Sequence, residues 1–170
     1  ISYVGGDGND VVLTSQFILN GTAGADTVTI TPTATGYDVQ LNADAPLSFT
    51  SDVPFTFRGL DGDDLLIVNV NNNPLPIITY DGGNQDLISR APNSLGDVLR
   101  VAGPGGQDVN YTPDATTTGA GLVTITGVGG GTINFTGLEP VDITGFATAT
   151  ITPPLTGGDD LLTLTNGFDS

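Results

Sequence analysis

Glycine and aspartate occur together at six places in this chain, and these are the residues whose chemistry can be argued first. In each place glycines are followed by aspartate and then by a short apolar segment: Gly5–Leu13, Gly21–Ile30, Gly59–Val68, Gly82–Ile88, Gly96–Leu99 and Gly157–Leu162. Glycine reaches the positive φ angles of tight turns, and aspartate either hydrogen-bonds its own turn or offers a carboxylate to a hard cation. The pattern predicts capped or metal-binding turns, each followed by a β-strand.

The charged residues are strongly skewed towards aspartate. The chain has 19 acidic residues, of which only Glu139 is a glutamate, against 3 basic residues, and its net charge is −16. An acidic surface that served only solubility would mix the two acids, so the skew towards the shorter side chain favours turns. Nucleic acids and anionic membranes are bound by basic patches, and no apolar run approaches the ~18 residues of a membrane-spanning helix. We therefore expect no nucleic-acid partner and no membrane insertion.

The composition favours an all-β protein. The chain has 25 glycines and as many threonines, and no stretch shows the apolar period of an amphipathic helix. The predicted strands are Val28–Thr31, Asp38–Leu41, Phe55–Phe57, Leu65–Val70, Ile77–Tyr80, Val98–Val101, Val123–Thr126, Ile133–Phe135, Ala149–Thr152 and Leu161–Leu164. This pattern favours a β-solenoid, similar to a parallel β-helix and built from tandem repeats, and the alternative is two tandem Ig-like β-sandwiches.

The sequence also repeats over a longer distance than the short glycine–aspartate pattern. Asp26 and Asp97 both precede a predicted strand at a separation of 71 residues, and Phe57–Asp61 matches Phe135–Glu139 at 78 residues. We interpret residues 20–90 as repeat unit A, and residues 91–170 as repeat unit B with the lead-in to another unit. Residues 1–19 match the end of a unit, so we expect the chain to be a slice of a tandem array.

The best copies of the short pattern point to a known family. Gly5–Leu13 and Gly59–Val68 resemble the calcium-binding repeats of secreted bacterial RTX proteins. The wider pattern resembles giant bacterial repeat adhesins of the extracellular, autotransporter-like kind. In RTX repeats a glycine-rich turn presents carbonyl and aspartate oxygens to calcium, and the following strand fills a parallel solenoid. RTX repeats recur every nine residues, whereas the aspartates that close the turns here are 16, 38, 22, 11 and 63 residues apart.

The resemblance implies Ca²⁺ as the cofactor and the turn residues as its ligands. The candidate metal ligands are Asp7, Asn9, Asp10, Asp26, Asp61, Asp63, Asp64, Asp81, Asp86, Asp159 and Asp160. At each of these turns the aspartate can instead cap the backbone and bind nothing, and this alternative stays open. The cluster of Asp61, Asp63 and Asp64 favours metal binding most, because three carboxylates within four residues repel one another unless a cation or solvent relieves them.

The residue types argue against catalysis. The chain has no histidine and no cysteine, and its basic residues are Arg58, Arg90 and Arg100. Arg58 with Asp61 is the nearest approach to a polysaccharide lyase site, and a surface ion pair explains these two residues more simply. No catalytic residue is therefore assigned, and we do not expect an enzyme.

These observations lead to one expected function and two alternatives. We expect a structural repeat of a secreted filament, sheath, surface layer or adhesin stalk, located at the cell surface or in the matrix. Calcium would stabilise it, and its partner would be itself, either as head-to-tail copies or as adjacent repeats. The first alternative is an adhesin module that binds carbohydrates or surfaces, with cell-surface glycans as partners. The second is an enzyme of the polysaccharide lyase type built on a β-helix.

Overall fold

The described part of the chain consists of β-strands joined by turns and loops. The computed structural model describes residues 15–83, 96–138 and 140–153, and these residues form no helix. The strands are β1 (Phe17–Asn20), β2 (Thr27–Thr33), β3 (Gly36–Leu41), β4 (Leu47–Thr50), β5 (Phe55–Arg58), β6 (Leu65–Asn69), β7 (Ile78–Asp81), β8 (Val98–Ala102), β9 (Asp108–Pro113), β10 (Gly121–Thr126), β11 (Gly131–Thr136), β12 (Val141–Thr144) and β13 (Thr148–Ile151). The prediction of an all-β protein is confirmed.

The strands form two mixed sheets. The first sheet has seven strands in the order β1-β5-β7-β11-β10-β9-β13, and the second has six in the order β12-β8-β6-β2-β3-β4. Seven of the eleven strand pairings are parallel. Only β10 runs against the other strands of the first sheet, and only β3 runs against the others of the second.

The chain alternates between the two sheets. Four times it leaves a strand of the first sheet and enters a strand of the second: β1 to β2, β5 to β6, β7 to β8, and β11 to β12. We call each of these pairs of consecutive strands, with the segment that joins them, a pass. The four first-sheet strands are parallel neighbours in the order of the passes, and so are the four second-sheet strands. Strands β3 and β4 lengthen the second sheet beyond pass 1, and β10, β9 and β13 lengthen the first sheet beyond pass 4.

The core lies between the sheets and consists of the inward residues of alternating strands. In β2 the fully buried side chains are Val28 and Ile30, and Thr27, Thr29 and Thr31, which alternate with them, are partly exposed. Phe57 of β5 stacks on Tyr80 of β7 at a ring separation of 5.0 Å. One cluster of buried residues extends from Val28 to Leu138, so predicted units A and B contribute to the same core.

The predicted strands agree well with the observed ones. Nine of the ten predicted strands overlap an observed strand, and the tenth, Leu161–Leu164, lies outside the described residues. The observed strands that the sequence did not predict are β1, β4, β9 and β12.

Candidate functional site

The turns between the sheets bring four glycines into a column. Each pass leaves the first sheet through a glycine, and these are Gly21, Gly59, Gly82 and Gly137. In the first three passes the glycine amide donates a hydrogen bond to the carbonyl of the residue just before the glycine of the next pass. These hydrogen bonds have lengths of 2.7, 2.8 and 2.9 Å. The glycines therefore continue the parallel hydrogen bonding of the first sheet into the turns.

A column of aspartates lies beside the glycines. Asp26, Asp64 and Asp97 each directly precede a second-sheet strand, and they are only 3%, 1% and 0% exposed. The Oδ1 atom of Asp64 accepts a hydrogen bond from the amide of Asp26 at 2.7 Å, and Oδ1 of Asp97 accepts one from the amide of Asp64 at 2.9 Å. Each of these two carboxyl groups thus caps the turn of the preceding pass.

The aspartate column ends at pass 1 in a different set of partners. The Oδ2 atom of Asp26 accepts hydrogen bonds from the amide and the hydroxyl of Thr22 at 2.6 and 2.9 Å. Its Oδ1 atom accepts a hydrogen bond from Nδ2 of Asn42 at 2.9 Å, and Oδ1 of Asn42 accepts one from the amide of Thr27 at 2.8 Å. Asn42 follows β3 with a φ of 51°, a left-handed conformation that asparagine tolerates well. The asparagine therefore terminates the column at this end.

Glycine and aspartate fit together within each turn. A Cβ atom on Gly82 would lie 2.7 Å from Oδ2 of Asp97, and one on Gly59 would meet Oδ2 of Asp64. On the other side, the same Cβ atoms would lie 2.6 and 2.7 Å from the carbonyl oxygens of Gly137 and Gly82, respectively. The carboxyl groups occupy the space that the absent side chains leave, so the two columns depend on each other.

The members of the aspartate column differ in their tendency to ionise. Burial raises the pKa of Asp64 to about 7; the amide of Asp26 opposes this shift, and the nearby carboxylates of Asp97, Asp26 and Asp63 add to it. For Asp26, burial also favours the neutral form and is the largest single influence. The hydrogen bonds from Asn42 and Thr22 together outweigh burial and hold the pKa of Asp26 below its usual value. Asp64, in contrast to Asp26, can therefore change its protonation state near neutral pH.

No family model, curated protein or solved structure matches this chain. Among the residues that the structure describes, none belongs to a helix long and apolar enough to cross a membrane.

The predicted metal ligands are separated by the fold. Asp26 and Asp64 lie in the buried column, whereas Asp61, Asp63 and Asp81 are exposed. The carboxylate of Asp81 accepts hydrogen bonds from the amide of Gly83 and the hydroxyl of Thr136 at 3.2 and 3.3 Å. The remaining predicted ligands, which lie outside the described residues, are Asp7, Asn9, Asp10, Asp86, Asp159 and Asp160.

The described residues, 15–83, 96–138 and 140–153, contain no cluster of three or more acidic side chains that could hold a metal ion by itself. Asp64 has a buried oxygen, Oδ2, without a hydrogen-bond partner, and this atom lies beside Gly59. Calcium prefers six to eight oxygen ligands, more than one such turn supplies. The chemistry that the column does support is hydrogen bonding between successive turns.

Sequence reasoning missed several members of this site. Asp97 was recognised as the counterpart of Asp26 but not as a site residue, and Thr22 and Asn42 were not singled out. The glycine column had a visible signal, because a glycine directly follows each of the four first-sheet strands. Asn42 had no such signal, since it approaches Asp26 only after β3 has folded back along β2.

Proposed function

We propose that this chain is a structural repeat of an extracellular β-solenoid, a passive element of a filament, sheath, surface layer or adhesin stalk. The observation that carries the proposal is the stacking of four passes in sequence order, with their turns joined by the glycine and aspartate columns. In such a stack each unit buries the face of its neighbour, and the concave surfaces that enzymes need are not required.

The strand pairing supports a solenoid over a pair of Ig-like sandwiches. Ig-like domains are built from antiparallel sheets with Greek-key connections. Here the pass strands are parallel within each sheet, and the four antiparallel pairings all involve β3 or β10. Both sheets also run without interruption from unit A into unit B: β7 of unit A pairs with β11, and β6 of unit A pairs with β8. Two separate sandwiches would break at this boundary.

The proposed location can be tested directly on the source cells. Immunogold electron microscopy with an antibody raised against the purified chain should label extracellular fibres, a sheath or the cell surface. Label confined to the cell interior would contradict the proposal.

Purified chain should also leave polysaccharide and peptide substrates intact, and cleavage lost on replacing Arg58 or Asp63 would favour the lyase alternative instead.

We also propose that calcium stabilises the folded chain through its exposed glycine–aspartate turns. With calcium at about ten times a millimolar dissociation constant, binding at one site adds about 1.4 kcal/mol to the free energy of unfolding. For a domain of this size that gain raises Tm by about 3 to 6 °C. Thermal melts should therefore differ by that amount between calcium and chelator. Magnesium at the same concentration is the control for screening of the net charge, and equal melts in calcium, magnesium and chelator would contradict calcium binding.

A groove on the first sheet favours glycan binding as a second candidate function. Its volume is about 540 Å³, and hydroxyl, amide and carboxylate side chains contribute to its lining: Thr79, Thr112, Asp114, Thr117, Asn134 and Thr136. Polar groups of this kind can hydrogen-bond sugar hydroxyls. Retention on a panel of immobilised glycans, weakened by Asn134→Ala, would favour the adhesin module over the passive repeat.

A further inference from the structure

Among the strands that the structure describes, the two sheets are staggered with respect to each other, so that one sheet extends beyond the other at each end. Beyond pass 1 the second sheet continues through β3 and β4, while the first sheet stops at β1. Beyond pass 4 the first sheet continues through β10, β9 and β13, while the second sheet stops at β12. Each end therefore presents an overhang of one sheet beside the last strand of the other.

The overhang beyond pass 1 contains an apolar slot. A cavity of about 280 Å³ opens between β1 and the β3–β4 hairpin, and the side chains that line it are Phe17, Leu19, Val39, Leu41, Asp44, Ala45 and Leu47. Leu47 is 58% exposed, and Phe17 and Leu19 are partly buried. The slot lies where the next strand of the first sheet would cover the hairpin.

The two edge strands of the first sheet, β1 and β13 among the described strands, run in the same direction. Strand β10 is antiparallel to both β11 and β9, so β9 runs parallel to β11, and β13 is parallel to β9. Strand β1 is parallel to β5, β7 and β11. Strand β13 of one molecule can therefore pair with β1 of another and continue a parallel sheet without reversing the molecule.

One apolar column crosses the whole first sheet and ends at these two edges. Its members, connected pair by pair in the strand register, are Phe17, Phe55, Ile78, Ile133, Val123, Tyr111 and Ile151. Phe55, Ile78, Ile133 and Val123 are fully buried, whereas Ile151 at the end is 45% exposed. Placing Ile151 of one copy beside Phe17 of the next would bury the exposed end of the column.

Charge also permits this contact. Edge strands that must stay unpaired usually carry lysine, proline or inward-pointing charges. Strands β1 and β13 contain no charged residue, although the chain as a whole has a net charge of −16. Two copies therefore meet at these edges without placing carboxylates against each other.

We propose that β13 of one copy of this chain pairs in parallel with β1 of a second copy. Ile151 of the first copy then lies beside Phe17 of the second copy and faces the apolar slot of that second copy. The proposal rests on the proposed structural role, and we call this contact between β13 of one copy and β1 of the next the joint. The same register places Thr152 of the first copy beside Ile18 of the second, both pointing outwards. The overhang of the first sheet has three described strands and that of the second sheet has two.

Disulfide trapping tests this joint, because the chain has no cysteine of its own. Copies carrying Ile18→Cys are mixed with copies carrying Thr152→Cys and oxidised under mild conditions. Neighbouring strands are about 4.8 Å apart, which suits a disulfide. We expect about tenfold more disulfide-linked heterodimer than from Val128→Cys mixed with Thr152→Cys, because pairing raises the effective concentration. Val128 is 71% exposed and belongs to neither edge.

A second pair of variants tests the chemistry of the contact. Adding Ile151→Lys to the Thr152→Cys copy should reduce trapping to the control level, whereas adding Val128→Lys should not. Equal trapping in the mixed pair and the control pair would overturn the joint. If surface labelling of the source cells succeeds while trapping fails, the joint is wrong and the structural role stands. Trapping without surface labelling would support the joint and contradict the extracellular role.

Discussion

The folded chain is expected to lose about 3 kcal/mol of stability between pH 4 and pH 7 through Asp64 alone. Its pKa is about 7 in the fold against a usual value of 3.8, and each unit of difference corresponds to about 1.4 kcal/mol. Because the folded-state pKa is raised, the contribution is fully present below the unfolded value of 3.8. It is lost as the pH rises through 7. Asp26 acts in the opposite sense. Because its pKa is lowered in the fold, its ionised form stabilises the chain above the usual pKa of 3.8, and this stabilisation is lost only as the pH falls below that value.

Asp64→Asn separates this effect from the general repulsion of an acidic chain. The amide keeps an oxygen that can accept the hydrogen bond from the Asp26 amide, and it does not titrate. Its buried NH₂ group lowers the free energy of unfolding by about 1 to 3 kcal/mol at every pH. The informative quantity is therefore the slope of the free energy of unfolding against pH and not its absolute value. Free energies of unfolding from denaturant titrations at pH 5 to 8.5 should fall less steeply with pH in the variant than in the original chain.

Asp61→Asn is the matched control for this experiment. Asp61 belongs to the same turn and is exposed, so the substitution removes a carboxylate without touching the aspartate column. We expect the slope of this variant to follow that of the original chain. If the Asp64→Asn curve runs parallel to the other two, Asp64 is not the group that titrates.

The fold could be predicted from the sequence where a strand is packed on its inner face. In β2 and β10 the alternation of aliphatic residues and threonine gave both the strand and its buried residues, such as Val28 and Ile125. Three of the four unpredicted strands, β1, β4 and β12, lie at the edges of the described sheets, where one neighbour is absent and no residue of these strands is fully buried. Strand β9 contains Asp108, Asn110 and Pro113, which are depleted in strands, and its pairing with β10 overrides that preference.

The candidate site could be predicted only in part. The glycine–aspartate pattern correctly located the turns at Gly59–Asp64 and Gly21–Asp26, and it left open whether each aspartate caps its turn or binds a metal. The local alternative was that an aspartate caps its own turn. In the structure Asp64 instead caps an amide 38 residues earlier and Asp97 one 33 residues earlier. Partners so far apart in sequence are set by the stacking of the passes, which no local pattern encodes.

Gly82→Ala is expected to lower the free energy of unfolding by about 3 kcal/mol, which corresponds to a Tm decrease of about 6 to 12 °C. The added Cβ atom would lie 2.6 Å from the carbonyl oxygen of Gly137 and 2.7 Å from Oδ2 of Asp97. Real Cβ atoms do not approach other heavy atoms so closely. The Gly137 carbonyl belongs to the backbone of the next pass, which is held at 2.9 Å by the hydrogen bond from the Gly82 amide to Thr136. Relief of the clash therefore requires separation of two passes.

Gly106→Ala is the control for this substitution, because a Cβ atom at Gly106 meets no atom within 4 Å. A glycine-to-alanine change in open space alters stability by at most about 1 kcal/mol, and it tends to stabilise by restricting the unfolded chain. Thermal and denaturant unfolding of the two variants should thus differ clearly and in one direction. Hydrogen exchange adds a local measure, since loss of protection at the amides of Gly82 and Asp64 would place the damage in the columns. Equal stability of the two variants would mean that the passes are not held as closely as the glycine column requires.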